Sequence, residues 1–240
     1  MPLNACAQEA AKQGERKNIP EYLQNISVMI STPDGTGSGV LFSRKDSKGD
    51  VVTFCLSAAH VVEKLRTERE VLTPAGTKKT LVEFGDPIVI RHMIENGRMV
   101  GKLEVTSEII KYSDEKHGED LVIMRLRKKD FSLESAVFSS EDIIPVGAEL
   151  FQVGSRKGEL GAGNFTVGVL SQVGKVLNDK QLFDVSSAPG TFGSSGGGTF
   201  LKSNGAFVGT VQRTAGETFM FIKPVRVIKK WAKDQRVEWA

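Results

Sequence analysis

The feature that most constrains this chain is the rhythm of its apolar residues. They come in short runs separated by glycines, prolines and small polar clusters. Runs this short do not build helices of ordinary length, whereas they suit strands joined by tight turns. Residues 25–31 alternate as a half-buried strand does, Pro33-Asp34-Gly35 makes a turn, and 39–43 and 50–54 read as strands joined by a polar hairpin over 44–49. Residues 60–69 read as a short charged helix or turn, and the strand series resumes at 81–84, 87–90 and 99–105. From Ile144 onward strands recur at 149–153, 166–172, 181–185, 197–201, 207–211 and 218–222. Glycine, at 25 residues in 240, supplies the turns that such a chain needs. The expected class is all-β, with strands closed into barrels or packed as a sandwich. Only the end departs from it: residues 224–239 open with proline and place Val225, Ile228, Trp231 and Ala232 on one face of a helix. The basic run from Lys223 to Lys233 is expected to be the solvated face of that helix.

The segment 127–142 is polar and aperiodic, which makes it the connection between two units. The expected organisation is an N-terminal arm over 1–20, a first barrel over 21–127, a linker over 128–143, a second barrel over 144–222 and a C-terminal helix over 223–240. A net charge of +3 is too small to argue for nucleic acid or an anionic membrane as a partner, and no apolar run is long enough to span a bilayer as a helix. Residues 1–17 lack the continuous apolar core of a secretory signal. Cys6 and Cys55 make no disulfide framework and are expected to be free thiols. Free thiols favour a reducing compartment, the cytoplasm of a bacterium or of an infected host cell.

One stretch carries chemistry, Gly190-Thr191-Phe192-Gly193-Ser194-Ser195-Gly196-Gly197-Gly198-Thr199-Phe200. Glycines adopt backbone angles closed to other residues and let a main chain approach a ligand closely. Outward N–H groups on such a turn can stabilise an oxyanion. The Ser195 hydroxyl is a nucleophile only if a base takes its proton. His60, at the end of the apolar run Phe54-Cys55-Leu56-Ser57-Ala58-Ala59, is the candidate base. Asp120, which opens the apolar run Leu121-Val122-Ile123-Met124, is the candidate carboxylate to hold the imidazole in one tautomer. Each has rivals. Ser194 adjoins Ser195, but only Ser195 has a glycine two positions before it and two glycines after it. His92 and His117 lie in polar contexts that suggest surface, and Asp86 and Asp114 precede no comparably apolar run. Gly35, Gly37 and Gly39 precede no helix and no Gly-Lys-Ser/Thr, so they form no phosphate loop. Nothing in this chemistry calls for a metal or cofactor.

Ser57-Ala58-Ala59-His60, Asp120-Leu121-Val122-Ile123-Met124-Arg125-Leu126 and Gly193-Ser194-Ser195-Gly196-Gly197 resemble, in this order, the (T/S)AAH, D(L/I)AxxxL and GxSGG motifs of the trypsin/chymotrypsin-like serine peptidases. Within that family the chain resembles the disulfide-free bacterial, HtrA-like and viral forms. Gly35 to Leu41, Val146 to Ser155, Phe165 to Ser171 and Gly205 to Val211 extend the resemblance, so that it spans roughly residues 26–227. It implies two antiparallel six-stranded β-barrels, the chymotrypsin-like double barrel, with a C-terminal helix and an active site in the cleft between barrels. It also implies a serine endopeptidase acting on protein or peptide substrates, in viral polyprotein processing or in bacterial or phage protein turnover. In that reading Ser195 attacks, His60 transfers the proton, Asp120 orients His60, and the N–H groups of Gly193 and Ser195 form the oxyanion hole. Pro189, Thr191, Phe192, Gln212, Arg213 and Thr214 fall where the family binds substrate.

Two departures carry expectations of their own. Ser194 stands where cleavage-activated members have an aspartate, so activity without N-terminal cleavage is expected. Pro189 stands where trypsin-like members have an acidic pocket floor, and about Val211 where many viral members have a histidine. An apolar or small residue before the scissile bond is therefore expected. The alternative is a catalytically inactive peptidase-fold module that binds peptides. An α/β-hydrolase esterase does not fit, because no alternation of strands and helices accompanies the serine.

Overall fold

The computed structural model describes residues 18–237 except Ser47, Asp130 and Leu133; Cys6 and the arm up to residue 17 lie outside the described residues. The described chain opens with a short helix, α1 (Ile19–Asn25), capped by the Asn18 side chain, which accepts the Glu21 N–H at 3.3 Å. Pro20 stands in its first turn, where a missing N–H removes no helical bond. Eight strands follow: β1 (Ser27–Thr32), β2 (Gly35–Lys45), β3 (Val51–Ala58), β4 (Arg66–Leu72), β5 (Lys78–Phe84), β6 (Ile88–Glu95), β7 (Arg98–Ser113) and β8 (Leu121–Leu126). Six of them pair antiparallel in the order β1-β2-β3-β8-β7-β6, and Met29–Ser31 of β1 pairs back onto β6, so the pairing is circular.

β4 and β5 stand apart as a two-stranded ribbon. The expectation of a helix or turn over 60–69 holds only to Leu65, through 3-10 turns at Ala59–Val61 and Glu63–Leu65; from Arg66 the chain is a strand. Residues 81–84, read as part of the first barrel, belong to this ribbon instead. The reason lies in the side chains. Arg66, Glu68, Arg69, Glu70 and Lys78 are exposed and leave the ribbon little apolar surface to bury, Phe84 against Tyr112 being one such contact, and it is laced by surface ion pairs such as Arg69–Glu83 at 3.0 Å and Lys78–Glu70 at 2.9 Å.

The second half contains β9 (Glu149–Arg156), β10 (Gly161–Val176), β11 (Leu182–Ser186), β12 (Gly198–Leu201), β13 (Phe207–Thr214) and β14 (Met220–Pro224). They form a closed barrel in the order β10-β11-β14-β13-β12-β9. A helix, α2 (Val225–Asp234), follows at once and buries Val225, Ile228, Trp231 and Ala232, the face expected from their spacing. The basic run behaves differently at its first member. Lys223 is fully buried in β14 rather than solvated, because it precedes the helix and points with the strand.

The described residues of the linker carry no regular strand, yet they are packed rather than free. Phe138 bridges to Phe207 of β13 and lies between Phe42 and Phe207, at ring-centroid distances of 6.0 and 5.1 Å. Phe42, Phe151, Phe200, Phe207 and Trp231 share one buried cluster that draws on both halves of the chain. Burying a phenylalanine of this kind stabilises by roughly 1.5–3 kcal/mol. This seam holds the two halves in register, and the site depends on it.

Candidate active site

β3 and β8 are antiparallel neighbours, and their last register pair is Ala58 with Leu121. The residue after one strand therefore meets the residue before the other. Asp120 accepts the His60 backbone N–H on Oδ1 at 2.9 Å and lies 2.8 Å from His60 Nδ1 through Oδ2. Its own carbonyl accepts the Ala59 N–H at 3.1 Å, and its N–H donates to the Asp114 carbonyl at 3.2 Å. Asp120 is fully buried and has φ +53°, a left-handed conformation that aspartate tolerates better than most residues. The turn before it is closed by Asp114, whose Oδ1 accepts the N–H groups of Lys116 and His117.

His60 is a quarter exposed, with Nε2 unpartnered among the described residues. Burial alone would lower the His60 pKa, but the hydrogen bond and charge of Asp120, with the charge of Glu115, outweigh it and hold the ring above its ordinary 6.5. The other candidates are placed differently. His117 is exposed beside Asp114, and Asp86 pairs with Arg127 on the surface at 3.0 Å. His92 is buried at 3% exposure, against the expectation of a surface position, because its side chain shares the core face of β6 with Ile90 and Ile94; it meets Glu159 at 3.1 Å.

The turn that carries Ser195 is fixed by its carbonyls. The Phe192 carbonyl accepts the Lys157 N–H at 2.7 Å, the Ser194 carbonyl accepts that of Gly197 at 2.9 Å, and the Ser195 carbonyl accepts that of Ser38 at 2.8 Å. The Gly193 carbonyl accepts the Ser38 hydroxyl at 2.6 Å. In a trans peptide the N–H points opposite to the C=O, so the Gly193 N–H faces away from Lys157. Among the described residues neither the Gly193 nor the Ser195 N–H donates to a protein group, and the Ser195 hydroxyl makes no hydrogen bond. Gly193 has φ +85°, and a Cβ there would lie 2.2 Å from the Ser155 carbonyl oxygen, so only glycine fits.

Gly196 abuts the strand that leads to His60: a Cβ on it would lie 2.1 Å from Ser57 Oγ and 2.9 Å from the Ala58 nitrogen. This contact and the Ser38 bonds join the turn to the first half of the chain. Ser194 is buried and its hydroxyl accepts the Thr191 N–H at 3.1 Å, whereas Ser195 is partly exposed. Residues 37–209 match the trypsin-like peptidase domain.

The chain belongs to the trypsin-like peptidase family. Three solved structures share its fold. Deg5 superposes with a TM-score of 0.62 at 18% identity, covering 92% of this chain and 93% of Deg5. A serine-to-alanine variant of the HtrA-type protease AlgW, solved with a tripeptide, gives 0.65 at 16% identity, covering 90% of this chain and 62% of AlgW. Rv3671c from M. tuberculosis H37Rv, an inactive serine-to-alanine mutant, gives 0.60 at 17% identity, covering 94% and 93%. No curated protein matches in sequence.

Within this trypsin-like peptidase the remaining predicted residues separate. Phe192 is almost fully exposed and Thr214 is exposed, while Pro189 is anchored through its carbonyl by the Thr166 hydroxyl at 3.0 Å. Thr191 gives its N–H to Ser194. Arg213 pairs with Asp179 at 2.5 Å and lies over the Phe183 ring. Gln212, expected at the pocket edge, is buried and donates to the Asp120 carbonyl at 2.8 Å. It supports the turn that carries Asp120 from the second half of the chain, a role its position in sequence does not disclose. Ser38 was also missed as a site residue. Its hydroxyl accepts the Ser155 N–H at 2.7 Å while donating to Gly193, and the only sequence signal was its place among Gly35, Gly37 and Gly39. Cys55 is a buried, unpaired thiol whose pKa burial pushes up, far from nucleophilic use.

Proposed function

We propose that this trypsin-like peptidase is a serine endopeptidase with the chymotrypsin-like two-barrel arrangement. Ser195 attacks the peptide carbonyl, and His60 takes the Ser195 proton and later gives it to the leaving amine. Asp120 holds the imidazole with Nδ1 protonated, so that Nε2 is the basic nitrogen. The N–H groups of Gly193 and Ser195 receive the oxyanion, each donor lowering the barrier by about 3–4 kcal/mol in comparable sites. The observation that carries this reading is the buried Asp120 carboxylate, which engages both His60 Nδ1 and the His60 main chain at 2.8 and 2.9 Å. A buried carboxylate with both oxygens committed to one histidine fixes that ring's tautomer and aim.

The substrate is a protein or peptide with a small or apolar residue before the scissile bond. The support is steric. A Cβ at Gly190 would lie 2.5 Å from Met220 Sδ and 3.0 Å from Gln152 Nε2, so the space beneath the loop that leads to Ser195 is already occupied. Ser194 engages Thr191 within the turn, which supports activity without N-terminal cleavage. Labelling with a fluorophosphonate followed by peptide mapping tests the whole reading. An adduct on Ser195 that is lost in His60→Ala and kept in Ser194→Ala is expected. Folded wild-type protein that takes up no label would place the chain with peptide-binding modules instead.

A further inference from the structure

Lysine is almost never fully buried unless it is paired, and Lys223 is fully buried. Its Nζ donates to Glu119 Oε2 and to Gln181 Oε1, both at 3.0 Å, and sits 4.3 Å from the centroid of the Phe183 ring. Phe183 and Gln181 belong to the second barrel and its approach, whereas Glu119 immediately precedes Asp120. Gln181 extends the contact, for its Nε2 donates to the Glu115 carbonyl at 2.6 Å. Arg213 Nε lies 3.5 Å from Glu115 Oε1, and Gln212 reaches the Asp120 carbonyl. Four side chains of the second half thus converge on the turn 114–120, which belongs to the first. The turn's own bonds close it upon itself, while these set its position across the cleft.

We propose that Lys223, with Gln181 and Glu119, is a positioning clasp: it locks the acid-bearing turn onto the second barrel and so fixes where Asp120 holds His60 relative to Ser195. The inference rests on the proposed triad and deepens it by naming what aligns its two halves. Lys223 is a positioning residue, not a catalytic one, because it touches neither His60 nor Ser195. The ammonium of this pair is buried while the Glu119 side chain is partly exposed, so desolvation of the lysine offsets much of the attraction and the pair is a poor source of net stability. Its use here is to fix one geometry. The charged groups that act on Lys223 are Glu119 and Asp120 from the turn and Asp179 and Arg213 from the second half of the chain; Glu115 acts on His60, and Lys230 of α2 faces Glu119.

The test uses two variants whose effects have opposite signs. In Lys223→Met the carboxylates of Glu115, Glu119, Asp120 and Asp179 lose one of the cations that face them, which favours the imidazolium and moves the His60 titration to higher pH. In Glu119→Gln the charges of Lys223 and Arg213 are less neutralised, and the titration moves to lower pH. With three histidines in the chain, the His60 ring signals can be followed directly by NMR in a Ser195→Ala background, whether or not the protein is active. In the Ser195 protein, Lys223→Met is expected to slow fluorophosphonate labelling about ten-fold, a loss of about 1.4 kcal/mol. A folded Lys223→Met with unchanged titration and labelling would overturn the clasp, and so would shifts of one sign in both variants. Should Lys223→Met fail to fold, Glu119→Gln decides alone: its side chain is 40% exposed, and an unmoved titration overturns the proposal. Loss of labelling in the wild type with both NMR shifts present would count against the peptidase reading and leave the clasp standing.

Discussion

Asp120 and Ser195 both sit in tight turns at strand ends, one in each half of the chain, and the two turns distribute their hydrogen bonds differently. Every polar group of Asp120 has a partner: both carboxylate oxygens on His60, the carbonyl on Ala59 and Gln212, the N–H on Asp114. At Ser195 only the carbonyl is held, by Ser38, and the N–H and hydroxyl have no protein partner among the described residues. A buried charge must be satisfied by the protein itself, whereas a group that acts on a substrate must keep its capacity for that substrate. The carbonyls of Phe192, Gly193, Ser194 and Ser195 fix the turn while two donors stay free. Rigidity and availability are thus assigned to opposite sides of the same peptide units.

The sharpest way to break this contrast is to remove the unheld hydroxyl. Ser195→Ala is expected to abolish covalent labelling and to lower kcat/KM by about 10⁴-fold or more while leaving the melting temperature nearly unchanged, since no protein bond is lost. Steady-state kinetics with thermal melting checks both halves of that statement. Asp120→Asn attacks the held side. It is expected to lower kcat by about 10⁴-fold, because an amide in place of Oδ2 no longer favours the Nδ1-protonated ring. Unlike Ser195→Ala it also costs stability, for a buried network loses its charge. Wild-type stability after Ser195→Ala together with a destabilised Asp120→Asn would confirm the asymmetry; equal melting temperatures would remove it.

Gly193→Ala tests the carbonyl-fixed turn. A Cβ there collides with the Ser155 carbonyl oxygen at 2.2 Å and occupies a left-handed φ, so the peptide must move and take its N–H with it. A loss of about 10²–10³-fold in kcat, with KM changed much less, is expected.

The pH profile probes the pair itself. The His60 pKa is raised, so as a base the ring is active only once deprotonated, and kcat/KM is expected to climb through a value above 6.5. The linkage to stability has the opposite sense. A group whose folded pKa is raised binds its proton more tightly in the native state, so this contribution is fully present below the unfolded pKa and is lost as pH rises through the folded one. Melting temperatures of wild type and His60→Gln compared across neutral pH check the sign. Asp120→Asn should bring the acid limb down.

How much of this was legible beforehand depends on whether a residue's partner is local. The strands and the face of α2 follow from spacing, because burial along one element repeats with its period. Ser195 could be told from Ser194 by its glycines, since those glycines are needed where the turn meets Ser155 and Ser57. His92 was misread by its charged neighbours, although its alternation with Ile90 and Ile94 already placed it on the core face of β6. Lys223 opens a basic run that reads as one with the helix, and only the structure shows that it lies between Ile222 and Pro224 in a wholly buried strand. For Gln212 no local signal existed, and for Ser38 only its place among Gly35, Gly37 and Gly39. Their partners, Asp120 and Gly193, come from the other half of the chain, and only the folded seam brings them within reach.

Ser194→Ala has the smallest expected effect and completes the comparison, because the two adjacent serines have opposite assignments. The Ser194 hydroxyl accepts the Thr191 N–H and is buried, so its removal leaves a main-chain donor short of a partner. Such a loss costs about 1–3 kcal/mol. It does not touch the four carbonyl bonds that fix the turn, nor the Gly193 and Ser195 N–H groups. Labelling at Ser195 and kcat/KM within a few-fold of wild type, with a melting temperature lowered by several degrees, are therefore expected. A stable Ser194→Ala protein that had lost labelling would mean that the Thr191 bond sets the aim of Ser195, and the division between a structural and a reacting serine would not hold.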